Sequence, residues 1–168
     1  MNLLNVNFDE LYRRHLCRHS QFGINVMHLI AVVGIYISLF GIAYSFPEPA
    51  GQWIVGGVLV VYFGILLLNV PFTVWVATLL FIGLLFAAFR AAPLVPWWVY
   101  VLLIFVWHKF QNWNHDVYDE SHDMSEFAEK YQKGFPLFFL LSVYELPILL
   151  HCLLFDRAHW AARRAAKQ

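Results

Sequence analysis

From His19 to Phe89 the chain carries a single charged residue, Glu48. No water-facing surface can be built from so long an uncharged run, so a soluble globular domain is excluded. Disorder is excluded too, because it needs low hydrophobicity and high charge. The run is far longer than one bilayer crossing, which takes ~20 mostly apolar residues. A single integral membrane domain of 168 residues remains. Lys+Arg and Asp+Glu both number 11, so the formal net charge is zero. Such a balance offers a phosphate backbone nothing to hold, and no nucleic-acid partner is expected. Asp9, Glu10, Arg13, Arg14 and Arg18 precede the first apolar run and no small-residue cleavage site follows it, so the start does not read as a secretory leader. Cys17 and Cys152 form no motif.

The expected fold is all-α: a polytopic bundle of four transmembrane helices, a fifth apolar helix and an N-terminal amphipathic helix. Residues 24–46, 53–68, 72–89 and 96–107 are the four crossings. The last is short and is expected to run on as helix beyond the membrane surface. Asn69-Val70-Pro71 predicts a tight turn between antiparallel helices. Trp53, Trp75, Trp97, Trp98 and Trp107 fall near segment ends, where amphipathic rings prefer to sit. Residues 135–155 form the fifth stretch, with Glu145 and Pro147 inside it, and it either spans or re-enters. If it re-enters, ten of the eleven basic residues share the N-terminal face; if it spans, the four in the tail at 156–168 change sides. The positive-inside rule favours the first arrangement and makes that face cytoplasmic.

Residues 7–22 read as an interfacial helix, with Asn7 as N-cap and Glu10 reaching back to it. Phe8, Leu11, Tyr12, His15, His19 and Phe22 recur at helical spacing. The polar segment 108–133 carries Asp123-x-x-Glu126, which predicts a short helix ending at Gly134.

Eight histidines are distributed unevenly. His15, His19 and His28 lie before or just inside the first crossing, whereas His108, His115 and His122 lie at or past the end of the fourth. Four crossings return the chain to its starting face, so both groups belong at one surface. His15 and His19 are spaced i,i+4, and the chain is expected to bend at Ser20–Gly23 before His28. On one helix His108, Gln111, His115, Asp119 and His122 form a polar stripe. Imidazoles with a carboxylate and no thiolate cluster suit non-haem Fe2+, with zinc or manganese as alternatives. His19, His28 and His115 are the first candidates as metal ligands, with His15 and His108 beside them. Asp119 is the first acidic candidate. Glu145, an acid deep in an apolar stretch, is the second, because such a group is costly without a function.

Two patches resemble a known family. They are Leu11-Tyr12 with His19-x8-His28, and Phe110-Gln111-x3-His115-x3-Asp119. They are similar to the histidine boxes of the Mpo-like (yeast alpha-oxidation) family of membrane Fe(II) dioxygenases. Asp119 stands where that family has Glu. The resemblance implies a 2-hydroxy fatty acid substrate, shortened by one carbon with O2 as oxidant. It implies iron on His19, His28 and His115, and roles in the chemistry for Gln111, Asp119 and Glu145. The substrate carboxylate would meet Arg14, Arg18 or Lys109.

Two other classes compete. Glu145, Pro147 and His151 in one apolar stretch suit a proton- or metal-coupled carrier, or a subunit of a larger complex. A di-iron hydroxylase would use His15-x3-His19, but its His-x2-His-His boxes are absent.

Overall fold

The computed structural model describes residues 5–118, 127, 130–131 and 134–160. Every described element is helical. In chain order they are α1 (Phe8–Arg18), α2 (Phe22–Tyr44), α3 (Ala50–Asn69), α4 (Phe72–Ala91), α5 (Trp97–Val117) and α6 (Phe135–Leu150), the last followed by a π-helical turn at His151–Phe155. The expected helix over 123–134 falls largely outside the described residues.

Four segments are long and apolar enough to cross a membrane: α2, α3, α4 and Phe135–Phe155. This set differs from the four expected crossings. The fifth stretch qualifies in full, whereas α5 does not. Its 21 residues run unbroken from the apolar Trp97 end into the polar sequence ending at Val117, as expected of a helix that continues past the surface. Burial separates centre from rim: 44% of the α2 span and 50% of the Phe135–Phe155 span are buried, against 17% for α3 and 22% for α4.

In lipid, apolar side chains gain nothing by leaving one apolar medium for another, so helices associate through close packing. The α2–α5 seam shows the device. Gly23, Gly34 and Gly41 of α2 sit directly against Tyr118, Trp107 and Tyr100, and a Cβ at any of the three would collide with the ring. The paired positions run in opposite directions, so α5 is antiparallel to α2. Trp107, at the expected end of the fourth crossing, packs on Gly34, because that glycine leaves room for an indole.

At the other edge, α3 and α4 form the expected hairpin. Asn69 caps its own helix by donating to Ile65 O, and its Oδ1 accepts from Val6 N at 2.7 Å. The segment leading into α1 is thereby tied to the α3–α4 turn. α1 starts where Asn7 accepts from Glu10 N. Glu10 does not reach back; it pairs with Lys130. The helix also ends four residues earlier than expected, at Arg18, because His19 and Ser20 turn the chain into α2. Its apolar face (Phe8, Leu11, Tyr12) packs with Leu140, Tyr144 and Ile148 of α6. Burying a leucine such as Leu11 contributes about 2 kcal/mol, which holds a helix too short to persist alone. Pro147 does not break α6. The helix relaxes into the wider π turn four residues later. Gly134 precedes α6 at φ 155°, a backbone that glycine alone adopts freely.

Candidate metal centre

The two histidine groups meet where α1 turns into α2 and α5 comes back beside them. His19 closes α1, His28 lies in the second turn of α2, and His115 is near the end of α5. Their ring centroids form a near-equilateral triangle of 4.5, 4.9 and 4.9 Å. One ring nitrogen from each lies within 4.8 Å of the other two. His19 and His28 are buried and His115 is half-buried.

The hydrogen bonds on these rings decide what they can do. His19 Nδ1 donates to His15 O at 3.2 Å. His28 Nδ1 donates to Glu145 Oε1 at 3.3 Å. Each bond puts the proton on Nδ1 and leaves the Nε2 lone pair unused. Both Nε2 atoms are buried and have no partner. Two orphaned imidazole lone pairs in one cluster of three rings are expensive unless something accepts them. A divalent cation does, and a ligating histidine ordinarily gives its other N–H to a carboxylate or carbonyl in this way. The residues present therefore fit a metal.

Behind the trio is a supporting layer. Gln111 Nε2 donates to the same Glu145 Oε1 at 2.8 Å, so α5 and α2 both lean on one carboxylate of α6. Asn25 was not foreseen as a hub. It donates to His19 O at 2.6 Å and to Gln21 O at 2.8 Å, and its Oδ1 meets His15 Nε2 at 2.8 Å. The signal was there: a carboxamide near the start of an apolar helix seldom stays unpaired. Asn114, next to His115, is fully buried and was also not singled out.

The remaining candidates divide. His15 stacks on His19 with centroids 4.1 Å apart, but its Nε2 is occupied by Asn25, so it stands behind the trio. His108 lines the same pocket without joining the three. Arg14 and Arg18 line it as well, and Arg14 is buried with its Nε unpartnered. Lys109 is exposed and is not on the pocket wall. Asp119 lies outside the described residues.

If Glu145 orients His28, Glu145→Gln should weaken metal binding by about 10–100-fold, the usual loss for an outer-shell partner. Competition with a fluorescent chelator measures this. Unchanged affinity would mean that the carboxylate is only structural.

The imidazoles of α1 are held neutral. Burial drives His15 down to about 3, with the Asn25 hydrogen bond opposing, and drives His19 down as well. An unfolded imidazole protonates near 6.5. Between these values the unfolded chain binds the extra protons, so folded-state stability is lost as pH falls. Metal-free protein should melt at progressively lower temperature as pH drops from about 6.5 towards 3. A flat profile through that window would contradict the burial of neutral rings.

Comparison with family models, with curated proteins and with solved structures finds no match for this chain.

Proposed function

We propose that this chain is a membrane-embedded non-haem oxygenase, with one ferrous ion held by His19, His28 and His115, acting on a fatty acyl or 2-hydroxy fatty acid substrate. The observation that carries the reading is the pair of buried, unpartnered Nε2 atoms within reach of a third imidazole. Iron, when bound, supplies the electron transfer to O2 that side chains cannot. Zinc or manganese would fit the same donors. For a 2-hydroxy acid the chemistry closes without a further reductant: R–CH(OH)–COOH and O2 give R–COOH, CO2 and H2O. The bond between C1 and C2 breaks, and the substrate supplies all four electrons. The chain's own residues hold the parts in place. Glu145 and Gln111 fix the ring of His28, and Arg14 and Arg18 offer a carboxylate two cations.

The same reading orients the protein. Arg13, Arg14, Arg18 and Lys130 lie on or against α1, while Arg90, stacked 4.7 Å from the Tyr44 ring, ends α4. The positive-inside rule then places the histidine end in the cytoplasm. The fifth stretch does not cross on this account, because the chain touches α1 on both sides of it: Lys130 on Glu10 before, Asp156 on Tyr12 at 2.6 Å after.

The test is direct. Protein in lipid nanodiscs with Fe2+, air and 2-hydroxyhexadecanoic acid should release pentadecanoic acid, seen by mass spectrometry, and His115→Ala should not. No shortened acid from iron-loaded protein would end the oxygenase reading. Ion flux in liposomes that depends on Glu145 would replace it with a carrier.

A further inference from the structure

The pocket beside the trio is a slot. α5 and α6 both pack on α2 but barely on each other, and Gln111–Glu145 is the link between them. The outer walls are His108 on α5 and Phe138, Leu141 and Ser142 on α6. His108, Phe138 and Ser142 are exposed, where lipid would lie. Arg14, also on the wall, is 8% exposed, with Nε bonded to nothing. Among the described residues no carboxylate pairs with Arg14 or Arg18. Glu145, the acid on the wall, is already engaged by His28 and Gln111. The Arg14 guanidinium lies over the Tyr131 ring, 5.6 Å from its centroid; with no carboxylate partner among the described residues, a buried guanidinium is costly, and a planar, bidentate anion is its natural complement. The cavity itself holds only about 170 Å³. Sites that enclose a whole drug-sized ligand run ~300–1,000 Å³.

We infer that the slot between α5 and α6 admits the carboxylate head of a single-chain lipid sideways from the bilayer, onto Arg14, and leaves most of its chain in the membrane. The inference deepens the oxygenase reading and rests on it for the meaning of the bound head, but the binding itself needs no metal. It makes the protein selective for the head and indifferent to the tail.

Chelator-treated protein in nanodiscs is titrated with 2-hydroxyhexadecanoic acid, with its methyl ester, and with acids from dodecanoic to octadecanoic length, affinities being expressed per mole fraction in the membrane. The acid should bind about 10-fold or more tightly than the ester, as a charge-assisted bond requires, and chain length should matter less than twofold. Arg14→Gln should cut the acid preference severalfold, leaving only what Arg18 on the same wall provides, and Arg14→Lys should keep more of it. Leu141→Trp, which fills the slot, should weaken acid and ester alike. Lys109→Gln, off the wall, should change nothing. Equal binding of acid and ester by the wild-type protein overturns the inference even if every variant misfolds, and so does affinity that climbs steadily with chain length. If no acid binds but one metal per chain does, the slot is wrong and the metal centre stands. If acid binds but metal does not, the reverse holds.

Discussion

The His28→Ala protein should bind Fe2+ or Zn2+ at least ~100-fold more weakly than wild type, since losing an outer partner alone costs up to that factor. His28 supplies one of two fully buried lone pairs. Its removal also strands Glu145 Oε1, which would retain only Gln111. His115→Ala should act comparably, although His115 is half-buried and water can replace part of what it gives. His15→Ala should matter much less to affinity. Its Nε2 is bound to Asn25, so it contributes by stacking on His19 and not by donating to an ion. His108→Ala should also leave affinity nearly intact. Isothermal titration of the four variants in nanodiscs separates these expectations. Full affinity in both His28→Ala and His115→Ala, with an intact fold, would remove the basis for the site.

A second large effect is expected away from the imidazoles. In Gly34→Leu the new side chain would occupy the space of the Trp107 indole. Overpacking of this kind costs ~1–3 kcal/mol and sometimes more. Here the damage is not confined to stability. The α2–α5 seam sets the register of His115 on α5 against His28 on α2, so splaying the seam must loosen the trio as well. Gly34→Leu should therefore lower both the melting temperature and the metal affinity. Gly57→Leu on α3 is the matched control. Nothing lies within 4 Å of its Cβ position, and the change should stay within about 0.5 kcal/mol of wild type. Trp107→Ala introduced into Gly34→Leu should recover part of the loss, because the two sites share one volume. Equal stability of the Gly34 and Gly57 variants would show that the seam is not what holds the bundle together.

These two predictions rest on features of unequal visibility in the sequence. The bundle was readable because the absence of charge from His19 to Phe89, Glu48 apart, leaves no alternative to membrane helices. The α3–α4 hairpin was readable because Pro71 cannot continue a helix and Asn69 can cap one. The gathering of His19, His28 and His115 at one end followed from counting crossings. What it could not supply was helical phase and long-range partnership. His108 and Lys109 are adjacent, yet about 100° of helix rotation puts one on the pocket wall and the other off it. His15 and His19 share a face of α1, and only Asn25, ten residues from His15, decides that His15 is spoken for. The packing of Trp107 was not legible because its partner, Gly34, has no side chain to announce the contact. Glu145 stood out as an acid in an apolar run. That it serves His28 and Gln111 became visible only once α6 was placed against α2 and α5.

The claim beneath all of this is that three imidazoles from three helices grip one cation. X-ray absorption at the metal edge of zinc-loaded protein measures that grip. The account predicts one ion per chain and three imidazole nitrogens at ~2.0–2.1 Å. An ion seen with fewer imidazoles than three, or a purified chain that takes up no ion at all, would contradict it.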